Sequence, residues 1–212
     1  MKARHIVISL AALLLCTLSQ AQINIGIKGG ISGGWISGVV LTPGARVIPH
    51  PSFSAGIAGN FELSENLIAQ AELIYVGKGH SEITTIGELK NKYTLNMGYL
   101  QIPAMIGYRL ADGKCTIMAG PELGILLHAK DINNLNGQVL KMDYKESCNP
   151  LNFGLGLQAN YMFIPNLGID VKFDWGVSRT FKQSAYDELG LGVKGNAHNL
   201  SVQLGLCYMF EL

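Results

Sequence analysis

The chain of 212 residues is poor in charge, because Lys, Arg, Asp and Glu together make up 15% of it and the formal net charge is +1. Soluble domains usually carry about 25% charged residues. A chain without an excess of one sign has no field that would attract a polyanion. The composition therefore excludes nucleic acid as an expected partner.

Long apolar runs are also absent, apart from one at the amino terminus that is too short for a typical membrane-spanning helix. There Lys2 and Arg4 precede an apolar stretch over residues 6–18, and Ala21 is a small residue suited to cleavage. This order is typical of a secretory signal peptide. We predict a cleaved signal peptide over residues 1–21, followed by one exported domain over residues 22–212.

Cysteine is scarce, and its arrangement predicts no disulfide framework. Cys16 lies in the predicted signal peptide, and the bulky residue before it disfavours a lipoprotein. Cys115, Cys148 and Cys207 remain, and an odd number of cysteines cannot close a set of intramolecular bridges. Free thiols are expected at all three positions.

The mature chain has no segment with a helical period, and instead alternates apolar and polar residues. From Leu200 to Phe210 every second residue is apolar, and the residues between are small or mostly polar. The alternating segments cover residues 22–34, 52–63, 67–79, 99–110, 115–127, 151–163, 167–179 and 198–212. A period of two predicts β-strands. Segments of this length match strands that cross a membrane at a tilt.

The connections between these segments alternate between short and long. Tight turns are expected at residues 64–66, 111–114 and 164–166, which carry turn-forming residues. The longer polar or glycine-rich connections are Trp35–Pro51, Gly79–Thr94, His128–Pro150 and Phe181–Ala197. This pattern predicts an all-β fold, an eight-stranded antiparallel up-and-down transmembrane barrel with short periplasmic turns and four external loops.

The composition of the two faces predicts which one contacts lipid. A soluble barrel of the lipocalin type would point its apolar face inward and carry many charges outside. Here the polar face is mostly Gly, Ser, Asn and Gln, which suits a narrow lumen, and the apolar face lacks charge through the strand centres. Aromatic residues expected at the two lipid interfaces are Phe61, Tyr75, Tyr108, Phe163, Trp175, Tyr208 and Phe210. Such girdles are typical of outer-membrane barrels.

Two prolines fall inside predicted strands. Pro103 lies in the fourth strand and Pro121 in the fifth. Proline cannot donate a ladder hydrogen bond, so a bulge or a local break in pairing between these strands is expected.

Several of these segments resemble a known family. The chain is similar to the outer-membrane β-barrel domain often labelled porin-family, which has eight strands in the style of OmpX. The similarity lies in the pieces YLQIPAMIGYRL, MAGPELGILL, FGLGLQANYMF and IDVKFDWGVS. The resemblance implies an integral protein of the outer membrane. It also implies that a terminal aromatic, here Phe210 followed by Glu211 and Leu212, is read by the barrel insertion machinery.

Charged residues on the inward face predict a filled lumen, because an eight-stranded barrel has room only for side chains. The predicted lumen charge network contains Lys28, Glu72, Arg109, Glu122, Asp170, Lys172 and Asp174, and Glu62 and Lys78 share its parity. Buried charges are costly unless they are paired, so mutual pairing is expected. An ion path or narrow pore for small solutes is the alternative.

Signals for chemistry are weak. No catalytic residue, cofactor or metal site is predicted. A lipid-modifying enzyme could use Ser178 and His198 near the external rim, with Glu188 between them, but parity places Ser178 inside and His198 outside. Loop histidines could bind a metal, although exposed histidine without a ligand is far commoner.

The resulting hypothesis is a monomeric protein of the outer membrane, surrounded by its lipids. Loops are the usual site of variable function on a rigid scaffold. We therefore expect the loops to contact an unidentified extracellular ligand or to support the integrity of the envelope.

Overall fold

The computed structural model describes residues 23–38, 45–86, 89–111, 113–135, 138–184 and 197–210. The predicted signal peptide and Glu188 lie outside the described residues. The strands are β1 Ile23–Ser37, β2 Arg46–Glu62, β3 Leu67–Ile86, β4 Leu89–Leu110, β5 Cys115–Leu135, β6 Gln138–Asp143, β7 Leu151–Ile164, β8 Leu167–Gly176 and β9 His198–Phe210. No helix in these ranges is long and apolar enough to cross a membrane.

Eight of these strands close into a ring of antiparallel neighbours in the order β1, β2, β3, β4, β5, β7, β8 and β9. The ring closes where β1 pairs with β9, from Ile25 opposite Phe210 to Ser37 opposite His198. In the described part of the chain β6 pairs only with β5, so it stands outside the ring. The predicted eight-stranded antiparallel barrel is confirmed.

The three short turns lie at one end of the barrel, which we call the short-turn end. Ser64 shows why its turn forms, because its hydroxyl accepts a hydrogen bond from the Leu67 N–H at 3.2 Å. In the next turn Ala111 has a φ of 52° and Gly113 a φ of 85°. These left-handed residues reverse the chain within a few residues.

Three of the four predicted external loops are largely strand, which corrects the sequence-based boundaries. In Trp35–Pro51, β1 continues to Ser37 and β2 begins at Arg46. The segment Gly79–Thr94 belongs to β3 and β4, which pair as a hairpin out to Ile86 opposite Leu89. Most of His128–Pro150 forms a second hairpin of β5 and β6. Paired neighbours satisfy the backbone of polar segments beyond the apolar part of the barrel, so the strands continue. We call this end of the molecule the hairpin end.

The prolines interrupt pairing without shifting it. The register between β4 and β5 passes from Pro103 opposite Glu122 directly to Ile106 opposite Ala119, three residues on along both strands. The expected local break is present, and the register shift in this ladder lies at Gly98 and Tyr99 instead.

Apolar side chains point outward around the whole ring. Exposed examples are Ile25, Ile31, Ile57, Leu73, Ile106, Ile117, Leu155, Leu157, Val171, Leu204 and Leu206. Charged side chains on the same strands, such as Lys28 and Lys172, are buried inside. This arrangement is the reverse of a soluble barrel, and we call the exposed surface the apolar band.

Candidate functional site: the barrel lumen

A network of charges fills the middle of the lumen. Lys28 on β1 contacts Glu72 on β3, with 2.6 Å between Nζ and Oε1, and Asp170 on β8, with 3.3 Å between Nζ and Oδ2. Lys172 lies 3.6 Å from Glu72 and 3.4 Å from Glu122, measured from Nζ to each carboxylate. The strands bring these residues together because alternate residues of each strand point inward at the same height.

Lys78 and Asp174 complete this network. Lys172 Nζ is 3.5 Å from Asp174, and Lys78 Nζ is 3.5 Å from the other oxygen of the same carboxylate. Lys78 also approaches Glu122 at 3.9 Å. The central charge network therefore consists of Lys28, Lys78, Lys172, Glu72, Glu122, Asp170 and Asp174.

Neutral amides and a hydroxyl from neighbouring strands support the carboxylates. Gln101 donates a hydrogen bond to Glu122 at 3.1 Å, and Gln70 donates one to Glu72. Ser201 and Gln203 both donate to Asp174, at 2.6 and 2.7 Å. Each of these partners is buried. Three of the four carboxylates are therefore held by neutral donors as well as by the lysines.

Arg109 is separated from the central charge network. Its guanidinium donates to Glu62 at 2.6 Å, and both side chains are partly exposed, at 22% and 31%. The pair borders a cavity of about 640 Å³ at the short-turn end. Arg109 was predicted as a network member, and the structure instead places it at the rim of this cavity.

An apolar layer lies on the short-turn side of the central charge network. Ile68, Met105 and Met118 pack together, and each is exposed by no more than 2%. Ile68 also lines the cavity at the short-turn end. The cavity therefore has an apolar contact with this layer, although Asn60, Thr116 and Asn160 also line it.

A second apolar cluster lies toward the hairpin end, and we call it the apolar cap. It contains Ile36, Leu95, Met97, Tyr99, Leu126, Ala129, Cys148 and Ala197, with Tyr93, Tyr144 and Phe181 packed against it. Tyr99 is 1% exposed, and its hydroxyl accepts a hydrogen bond from Asn199 at 2.9 Å. The Lys78 ammonium lies 5.9 Å from the centre of the Tyr99 ring, so the cap rests directly on the charge network.

Two segments of chain are tied together over the cap. Cys148 forms an isolated antiparallel bridge with Phe181. The Asn149 side chain donates to the carbonyls of Arg179 and Phe181, at 2.9 and 3.0 Å. Burial raises the pKa of the Cys148 thiol to about 12. Cys148 is therefore a packed thiol, and it is free, as are Cys115 and Cys207.

The predicted interface aromatics lie on the outer surface at both ends of the apolar band. Tyr108, Phe163, Trp175, Tyr208 and Phe210 are exposed, and Phe61 and Tyr75 are half-buried. Tyr208 and Phe210 meet edge to face at 5.0 Å, and Tyr75 stacks on Phe53 at 5.0 Å.

The residues considered for enzymatic chemistry do not form a nucleophile and base pair. The Ser178 hydroxyl accepts hydrogen bonds from Asn152 and from the Phe153 N–H. His198 Nδ1 lies 3.2 Å from the Ser178 backbone carbonyl rather than from its hydroxyl. Among the described residues, no three His, Cys, Asp or Glu side chains are grouped to hold a metal ion.

Sequence reasoning missed the apolar cap and the apolar layer. Ile68, Ile74 and Val76 on β3 interrupt the alternation of the sequence, and all three are buried. That interruption was the available signal for apolar side chains inside the lumen. Leu95 and Met97 gave no such signal, because they fall between the expected connection Gly79–Thr94 and the alternating segment over residues 99–110.

The model of the outer membrane protein beta-barrel domain family matches residues 18–182. OprG from Pseudomonas aeruginosa is 12% identical with a TM-score of 0.44, covering 91% of this chain and 98% of OprG. Ail, the attachment invasion locus protein of Yersinia pestis, is 12% identical with a TM-score of 0.45, covering 90% and 99%. CarO of Acinetobacter baumannii is 10% identical with a TM-score of 0.46, covering 85% and 97%. No curated protein matches this chain.

Proposed function

The chain belongs to the outer membrane protein beta-barrel domain family, and we propose that its lumen is closed to solutes and that its hairpin end provides the working surface. In this proposal the protein is exported by the amino-terminal signal peptide and inserted through recognition of its last strand, which ends near Phe210. It remains a monomer surrounded by outer-membrane lipids, with the short-turn end toward the periplasm, as in other outer-membrane barrels.

The observation that carries the closed lumen is the succession of three filled layers. The apolar cap lies toward the hairpin end, the central charge network follows, and Ile68, Met105 and Met118 lie beyond it. An ion crossing the barrel would lose its hydration among these buried side chains, which costs several kcal/mol. The central charge network is already paired internally. These features support a plug rather than a narrow pore.

The hairpin end supports a role in surface interaction or envelope integrity. The paired extensions of β3, β4, β5 and β6 project beyond the apolar band, so this end presents a β-sheet rather than loops alone. Strand β6 is exposed along its whole length. A rigid sheet can present side chains to an extracellular partner with little loss of conformational entropy. We propose no enzymatic activity, because Ser178 and His198 lack the geometry of a catalytic pair.

The closed lumen is tested by recording from the purified barrel in planar bilayers. We expect no large, steady conductance, and a large-pore porin serves as the control for insertion and recording. Heat-modifiable gel mobility of the same sample shows that the barrel is folded. Large and steady channels from a folded sample would contradict the proposal.

The working surface is tested with a variant that shortens only the β3–β4 hairpin. Ile83 pairs with Lys92, so replacing residues 84–91 by Asn-Gly preserves the register and closes the hairpin with a favourable two-residue turn. Pull-down from intact envelopes should recover fewer partners with this variant than with the full chain. A matched variant replaces residues 133–140, which lie between the paired Ile132 and Lys141. If both variants capture the same partners and leave the integrity of the envelope unchanged, a function of this surface is contradicted.

A further inference from the structure

The central charge network contains one more carboxylate than ammonium groups. Its cations are Lys28, Lys78 and Lys172, and its anions are Glu72, Glu122, Asp170 and Asp174. No side chain of the seven is more than 6% exposed. With every group ionised, the network would hold a net charge of −1 in the buried interior of the barrel. Such a charge is strongly disfavoured unless a further positive charge is present.

Two of the four carboxylates share the same two ammonium groups. Lys78 Nζ lies 3.9 Å from Glu122 Oε1 and 3.5 Å from Asp174 Oδ2. No donor among the described residues hydrogen-bonds to Glu122 Oε2 or Asp174 Oδ1. Both oxygens face Lys172 Nζ, at 3.4 and 3.5 Å. Two carboxylates in this arrangement are stable when they share one proton.

The hydrogen bonds indicate which of the two carboxylates keeps the negative charge. Asp174 accepts from Ser201 at 2.6 Å and from Gln203 at 2.7 Å. Among the described residues, Gln101 is the one neutral side chain that donates to Glu122, at 3.1 Å. Because hydrogen-bond donors stabilise the ionised form, Asp174 is the group that keeps the negative charge and Glu122 the group that keeps the proton.

We propose that the folded barrel binds one proton at its centre at neutral pH. Glu122 carries this proton, and its O–H donates a hydrogen bond to the ionised Asp174. The bound proton makes the central charge network electrically neutral. This inference goes beyond the proposed function, because a closed lumen does not require a proton and a proton site does not require a surface partner.

The strands packed against Glu122 act on its protonation in opposite directions. Strand β3 contributes Lys78 at 3.9 Å and β8 contributes Lys172 at 3.4 Å, which favour the carboxylate, whereas Asp174, which shares both lysines, favours the neutral acid. Strand β4 contributes the neutral Gln101. Strand β7 contributes glycines, and a Cβ atom built at Gly154 would lie 3.0 Å from Glu122 Oε1. The missing side chains leave space for the carboxyl group without adding a charge.

The proton is tested by infrared spectroscopy of the folded, unmodified protein in detergent micelles at neutral pH. A protonated carboxyl group has a carbonyl stretch that is well separated from that of a carboxylate. We expect one such band from a buried group, and we expect it to shift when glutamate is labelled with ¹³C. A band that shifts only with labelled aspartate would overturn the assignment to Glu122. The absence of any band would overturn the proton itself.

Substitution provides the residue assignment. Glu122→Gln mimics the protonated acid in size and charge, so the variant should fold and lose the band. Glu62→Gln is the matched control, because Glu62 lies at the short-turn end and pairs with Arg109. The control should retain the band. A band that persists in folded Glu122→Gln would contradict the proposal, and the labelling experiment decides the question if that variant does not fold.

Stability provides a second readout. A folded state that retains a proton loses stability as the pH rises above the range in which the unfolded chain releases it. Above that range, for as long as the folded barrel keeps the proton, the unfolding equilibrium constant of the wild type should therefore rise by up to about tenfold per pH unit. Glu122→Gln should lack this component, whereas Glu62→Gln should keep it. Stabilisation by sodium chloride but not by choline chloride at equal ionic strength would instead identify a bound metal cation and overturn the proton.

Discussion

Lys28 Nζ lies 2.6 Å from Glu72 Oε1 inside the barrel, although β2 separates the strands that carry them. The ion pair can cross that strand because the lumen is narrow and both side chains point toward the axis. It joins β1 and β3, which do not pair with each other through backbone hydrogen bonds. The same ammonium also serves Asp170 on β8, so a single lysine connects three strands.

Removal of this lysine should strongly destabilise the barrel. Lys28→Met leaves Glu72 and Asp170 short of positive charge in a buried site, which typically costs about 3–5 kcal/mol. Urea unfolding in micelles or lipid vesicles measures this free energy. Lys114→Met is the control, because Lys114 is exposed at a turn and surface substitutions usually change stability by less than about 0.5 kcal/mol. Equal effects of the two substitutions would show that the network does not stabilise the fold.

Charge on the apolar band should disrupt insertion. Leu157 is 54% exposed in the middle of β7, and arginine facing lipid at mid-membrane costs about 2–4 kcal/mol. Leu157→Arg should lower the yield and stability of folding into lipid vesicles. Leu140 is also an exposed leucine on a strand, at 67%, but it lies at the hairpin end on β6. Leu140→Arg should leave insertion nearly unchanged, and a comparable loss would contradict the position assigned to the membrane.

The hydroxyl of Tyr99, in the apolar cap, should contribute measurably to the free energy of unfolding. Tyr99→Phe leaves the Asn199 amide without its acceptor in a buried site, which costs about 1–3 kcal/mol. Tyr108→Phe changes an exposed phenol on the outer surface and should alter the free energy of unfolding much less. Denaturant titration of both variants provides the comparison, and equal stabilities would argue against a closed cap.

The Cys148 thiol should resist alkylation while the barrel is folded. It is 1% exposed, and its raised pKa leaves almost no thiolate at neutral pH. The thiolate is the reactive form, so maleimide labelling should be slow in the folded protein and fast in urea. Mass spectrometry of the labelled peptides measures the rate. Phe181→Ala removes a side chain packed against the cap and should accelerate labelling, whereas rapid labelling of the folded wild type would contradict burial.

The sequence predicted the ring of strands well, because alternation is a local property. The outward positions of Ile57, Leu157 and Leu204 follow from a period of two, and the structure exposes all three. The predicted ends of the strands at the hairpin end were wrong. The segment Gly79–Thr94 has mixed polarity, and it forms strand because β3 and β4 pair with each other there. The lumen residues were identified by parity, but their partners were not.

The amino-acid sequence by itself determined the class of fold and the side of each strand that faces outward, since successive side chains of a strand point to opposite faces. The tertiary structure alone decided that Lys78 joins the central charge network and that Arg109 pairs with Glu62 at the short-turn end. It also decided that Leu95, Met97 and Tyr99 close the other end. These contacts join residues far apart in sequence, so they depend on the register and closure of the barrel, which no single strand encodes.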